Sequence, residues 1–105
     1  MFNINGVNWD VIFVEPNSEM IYRSDGSRTV GMCDNNTKCI YLSNALRGSF
    51  LRKVLIHELC HSAIFSYGIY IDIEQEEFLC DFIATYGDEI FGIVDDIFMI
   101  LKKIA

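Results

Sequence analysis

His57-Glu58-Leu59-Cys60-His61 is the stretch that decides how this chain is read. It is an instance of H-E-x-x-H. Residues four apart lie on one face of a helix, so His57 and His61 point the same way and can grip one metal ion. Glu58 projects beside them, where an activated water would sit. Imidazole nitrogen is a good zinc ligand, and a nearby carboxylate can take the water's proton. The chain has two histidines, and both are in this motif. The stretch therefore predicts a zinc site with hydrolytic chemistry on a helix.

The flanking residues supply that helix, over about Phe50 to Tyr67. Ser49 is the expected N-cap, and Gly68 ends the helix. Leu51, Val54, Leu55, Ile56, Leu59, Ala63, Ile64 and Phe65 wrap nearly all round it, which predicts a central, buried helix. Two imidazoles and a carboxylate are costly to bury without partners, and a metal supplies one. A second helix opens at Asp72, with Gln75 as its capping-box partner, and runs to about Tyr86, stopping at Gly87. Asp88 is then positioned to cap a third helix reaching the C-terminus. Its apolar stripe is Ile90, Ile93, Val94, Ile97, Leu101 and Ile104, widened by Phe91 and Phe98. Asp95, Asp96, Lys102 and Lys103 lie opposite. That pattern predicts an amphipathic helix packed on the core.

The first half reads as strands. Asn5-Gly6 is a hairpin-turn dipeptide between Phe2-Ile4 and Val7-Glu15. The longer segment carries apolar residues on both faces toward its end, as in a strand buried on both sides. Pro16 stops it. Asn17 or Ser18 can cap a short helical turn at Glu19-Ile21, and Ser24-Asp25-Gly26-Ser27 is a turn. Thr29-Cys33 and Lys38-Leu42 read as two strands joined by the loop Asp34-Asn35-Asn36-Thr37. The expected fold is α+β: one domain over residues 1–105, with a small antiparallel or mixed sheet packed on three C-terminal helices.

A catalytic zinc site usually has three protein ligands. With no further histidine, the third must be a carboxylate or a cysteine, and the second helix offers Glu74, Glu76, Glu77 and Asp81. Glu77 and Asp81 are four apart and share a face. One can bind metal while the other reaches the far nitrogen of a ligand histidine and fixes its orientation. Glu76 shares its face with Leu79 and Cys80, a poorer arrangement, and is the main rival to Glu77. Glu74, near the helix start, is expected to face solvent.

H-E-L-C-H followed by E-F-L-C-D-F-I-A resembles the gluzincin pattern H-E-x-x-H … E-x-x-x-[DN]. Cys80 before the acid, and Ile83-Ala84 after it, are similar to the ImmA/IrrE-like metallopeptidases of bacterial and phage genomes. The specific motifs cover residues 57–61 and 77–84. The resemblance implies a zincin-like active-site helix, with Glu77 as third zinc ligand and Asp81 as the acid behind a ligand histidine. It also implies metallopeptidase activity. Many members of that family cleave helix-turn-helix transcriptional repressors, so a repressor of a phage or mobile element is the implied substrate. Such enzymes often use a tyrosine or histidine to steady the oxyanion. Here Tyr41, Tyr67, Tyr70 and Tyr86 are the candidates, and Tyr70 stands out because its loop joins the two metal helices. If the 38–42 strand is a sheet edge beside the cleft, Ile40 and Tyr41 would receive an extended peptide by backbone pairing.

Composition bounds the alternatives. The chain has 105 residues, 51% of them hydrophobic and 22% charged, a globular composition sized for one domain. The formal net charge is -7, which repels phosphate backbones and argues against nucleic acid as a partner. No apolar run is long enough to span a membrane, and the start has no basic-then-apolar signal pattern, so the cytoplasm is the expected location. The four cysteines form no C-x-x-C pair and are expected to be free, with Cys60 a packing residue. The expected partner is a protein or peptide substrate, with neither nucleic acid nor membrane involved. Two other classes remain beside the peptidase: a zinc-holding module that binds a partner without turnover, and a structural domain without metal.

Overall fold

The structure is a computed structural model and describes residues 1–104. Strand β1 (Phe2–Ile4) and strand β2 (Val7–Val14) form an antiparallel hairpin. Asn5 and Gly6 between them both have positive φ, 51° and 82°, as a tight turn matched to strand twist requires. A 3-10 turn at Glu19–Ile21 follows, and the Ser18 hydroxyl accepts the Met20 N–H at 3.2 Å. Strands β3 (Gly31–Asp34) and β4 (Cys39–Ser43) are antiparallel to each other. Strand β4 also pairs parallel to β2, so the sheet is mixed, in the order β1-β2-β4-β3. Helix α1 (Gly48–Ser66) leads directly out of β4, and α2 (Ile73–Ile104) completes the described chain.

The α+β class and the mixed sheet agree with the sequence. Five expectations are corrected. The first is the helix count: two helices, not three, follow the sheet, because α2 runs unbroken through Gly87 and Gly92. A helical glycine costs only about 1 kcal/mol relative to alanine, too little to end a long helix by itself. Second, β4 lies between β2 and β3, so it is not an edge. Ile40 and Tyr41 are 0% and 7% exposed on a strand already paired on both sides, so they offer no edge for backbone pairing; the edge on this side is β3. Third, β2 is not buried on both sides. Of its residues only Trp9 is fully buried, while Ile12 and Phe13 stay exposed, because the helical layer covers one face and leaves the end of β2 bare. Fourth, Arg47 occupies the N-cap of α1, with no side-chain cap, in place of Ser49. Fifth, the stripe at 90–104 is exposed, not packed on the core.

The core sits where β4 meets α1. Ile40, Leu42, Leu46 and Val54 form its centre, with Phe2, Val11, Cys33, Leu51, Leu55 and Leu59 around them. Burying each of the four central side chains contributes roughly 1.5–3 kcal/mol, which fixes α1 across the sheet. Trp9 anchors the far end of α1: it lies between Phe2 and Phe65, with both ring centroids at 6.5 Å, and its indole N–H donates to Ser66 Oγ at 2.8 Å. Gly68, at φ 63°, then turns the chain, and the Ile69 N–H closes the helix end onto the Ile64 carbonyl. The turn is tight enough to return α2 antiparallel along α1. Arg52 clamps the other end through two 2.8 Å hydrogen bonds to the Asp88 carboxylate. Among the described residues no helix is long and apolar enough to cross a membrane.

Candidate metal centre

The centre forms where the last turns of α1 face the first turns of α2. His57 is partly buried and His61 buried. Their Nε2 atoms face each other at 3.2 Å. The Glu77 carboxylate straddles both, with Oε1 at 2.9 Å from His61 Nε2 and Oε2 at 3.4 Å from His57 Nε2. One ligand atom from each of the three lies within 4.8 Å of the others.

What stands behind the imidazoles decides what this convergence means. His57 Nδ1 donates to Asp81 Oδ1 at 2.9 Å, and His61 Nδ1 donates to Glu76 Oε2 at 2.6 Å. A neutral imidazole carries one proton, and both carboxylates place it on Nδ1. In that tautomer both Nε2 lone pairs point toward the Glu77 carboxylate, so the three donors converge on one point where a cation would be held. Two ligands about 2.05 Å from a tetrahedral ion sit roughly 3.3 Å apart, close to the observed Nε2 separation. Two imidazoles and a carboxylate form a donor set that zinc accepts. The residues present fit a metal of that kind.

Glu58 is 7% exposed, facing the sheet side of α1. Burial pushes its carboxyl above the ordinary carboxylate range and Glu77 adds to this, while His57, His61 and Arg23 pull the other way. Its position depends on Gly31 at the start of β3. A Cβ there would lie 2.8 Å from Val54 Cγ1 and 3.3 Å from Glu58 Cγ. Only glycine lets the edge strand approach α1 so closely at the level of Glu58. Nearby, burial raises the thiols of Cys60 on α1 and Cys80 on α2. All four cysteines are free.

Of the residues singled out from sequence, His57, Glu58, His61, Glu77 and Asp81 come together here. Tyr70 does not join them: it is 97% exposed in the α1–α2 loop. The Tyr41 hydroxyl pairs with Thr37 Oγ1, and the Tyr86 ring lies tilted against Phe82. Two further residues shape the site. Glu76 is buried behind His61, and Gly31 sets the distance to the edge strand. Glu76 had a legible signal. With Cys80 and Gly87 it makes up the buried residues of α2, at spacings of four and seven, which mark the face toward α1. No family model, curated protein or solved structure matches this chain.

Proposed function

We propose that this chain is a zinc-dependent metalloendopeptidase of gluzincin type. The observation that carries this is the convergence of two imidazole lone pairs and the Glu77 carboxylate, with both outer imidazole nitrogens already committed to acids. Zinc held by His57, His61 and Glu77 would supply Lewis acidity, lowering the pKa of a water and polarising a scissile carbonyl. Glu58 would take the proton from that water and deliver it to the leaving amine. Its burial raises its basicity toward the range useful for this work near neutral pH. Asp81 and Glu76 keep the two imidazoles in the binding tautomer.

Strand β3 is the free edge on the metal side of the sheet, beside Glu58. An extended peptide laid along β3 would pair through its backbone, which gives affinity with little sequence preference. The resemblance to ImmA/IrrE-like peptidases points to a transcriptional repressor of a phage or mobile element as the protein cut. Four unpaired thiols suit a reducing compartment such as the cytoplasm.

The test uses purified protein, metal analysis and candidate repressors or a peptide library, with and without chelator. One zinc per chain and chelator-sensitive cleavage are expected. Glu58→Gln should keep the zinc and lose roughly 10²–10⁴ of the cleavage rate, the usual contribution of a positioned acid–base group. Full activity in that variant overturns the mechanism. Stoichiometric zinc with no cleavage of any substrate would leave a zinc-holding binding module instead.

A further inference from the structure

Helix α2 is longer than anything it packs on. The paired Arg52 and Asp88 on the antiparallel helices place the start of α1 level with Gly92. Beyond that point about 18 Å of helix projects from the body, at 1.5 Å per residue. This projection accounts for the 55 Å long axis of a molecule only 30 and 27 Å across. Every residue from Asp88 to Ile104 is exposed.

The exposed stretch has an order that a solvated helix does not need. Ile90, Ile93, Ile97, Ile100 and Ile104 recur at alternating spacings of three and four. That is a 3.5-residue repeat, the period of helices that wind around another helix. All five are isoleucine, and their exposures run from 43% to 76%. Beside this seam, one flank carries Glu89, Asp96 and Lys103, and the other carries Val94 and Leu101.

We propose that this end of α2 pairs antiparallel with the same segment of a second copy of the chain. In a parallel pair the charged flank of one copy would meet the apolar flank of the other, leaving Glu89 and Lys103 without opposite charges. Running antiparallel, with Ile90 opposite Ile100 and Ile93 opposite Ile97, charged flank meets charged flank. Glu89 of each copy then faces Lys103 of the other, twice per pair. Val94 meets its own counterpart across the two-fold axis, and Ile104 reaches the Tyr86 of the second copy. Tyr86 already lies tilted against Phe82 with ring centroids 5.2 Å apart, giving that isoleucine an aromatic seat. Asp96 faces its own copy, a like-charge contact that weakens the pair. Neither Glu89 nor Lys103 forms an ion pair among the described residues. This pairing does not depend on the metal reading.

Sedimentation equilibrium of the full chain over a concentration series tests it. The wild type should be a monomer–dimer equilibrium. Ile97→Asp should be monomeric, with metal binding unchanged because Ile97 lies about four turns of helix beyond Asp81. Glu89→Lys and Lys103→Glu should each weaken dimerisation roughly two- to tenfold, and the two together should restore it. Asp96→Asn should tighten it. A monomeric wild type, an assembly of three or more copies, or a double charge exchange that fails to restore pairing overturns the proposal. So does co-sedimentation with phosphatidylcholine vesicles in place of self-association.

Discussion

Between Ile73 and Gly87, α2 has α1 alongside it; from Gly92 to Ile104 no other helix lies beside it among the described residues. Both halves combine apolar and acidic residues. In the first half the packing face gives Cys80 complete burial and sets Glu76 against His61. In the second half an equally apolar face is bare to solvent. The difference teaches that periodicity reports a helix and its faces but not whether a face is occupied. The acids show the same contrast. Glu76, Glu77 and Asp81 each meet an imidazole nitrogen, whereas Asp95 and Asp96 make no ion pair among the described residues.

The sharpest way to break this contrast is to remove the ligand carboxylate. Glu77→Ala should abolish stoichiometric metal binding, while Asp96→Ala in the far half should leave it untouched; equilibrium dialysis against zinc reads both. Equal affinity in the two variants would mean that the convergence at Glu77 does not hold the metal.

A smaller effect separates the carboxylates behind the histidines. Glu76→Gln and Asp81→Asn should each weaken metal binding about 10–100-fold, the usual cost of losing such a partner. Glu76→Gln should cost more of the two, because that carboxylate is 7% exposed and its hydrogen bond is the shorter. The reverse order in a competition titration would show that burial does not set the strength of that hydrogen bond.

Glu58 provides a test in pH. Its folded pKa is raised by burial, so the native state holds this proton more readily than the unfolded chain. Stability therefore falls as pH rises from the ordinary glutamate value, about 4.3, through the raised native value, and the full penalty persists above it. In metal-free protein, Glu58→Gln should raise the melting temperature at neutral pH, and the two melting curves should converge below about pH 4. A gain independent of pH would assign the effect to packing.

Much of this site was legible in the chain because its chemistry is periodic. Histidines four apart can only share a face, and Glu77 with Asp81 repeats that relation on the next helix. Glu76 is harder to read, because its neighbours Leu79 and Cys80 say that its face is apolar but not that this is the face turned to α1. The α+β class could be read from local pattern. The position of β4 could not, since its parallel partner β2 lies far back in the chain and nothing local encodes that pairing. Gly31 was invisible for a similar reason: what it makes room for, Val54 and Glu58, comes more than twenty residues later. The helix boundary at Gly87 failed on magnitude, because one glycine cannot outweigh thirty residues of helix-forming pattern.

That last point yields the smallest predicted effect. At Gly87 a Cβ would meet Ile83 Cγ2 at 3.5 Å and Phe91 Cε2 at 3.8 Å, ordinary contact distances, and at Gly92 it would meet nothing. Neither glycine has a positive φ. Alanine should therefore fit both positions and recover the helix penalty of about 0.8–1 kcal/mol at each. At Gly87 the gain should appear in global unfolding, as a rise of about 4–8 °C in melting temperature, since that residue lies on the buried face. At Gly92 the same substitution should barely move the melting temperature and should instead slow amide exchange between residues 92 and 104. That segment can fray without the rest of the molecule opening. If Gly92→Ala raises the melting temperature as much as Gly87→Ala, the two halves of α2 unfold as one unit.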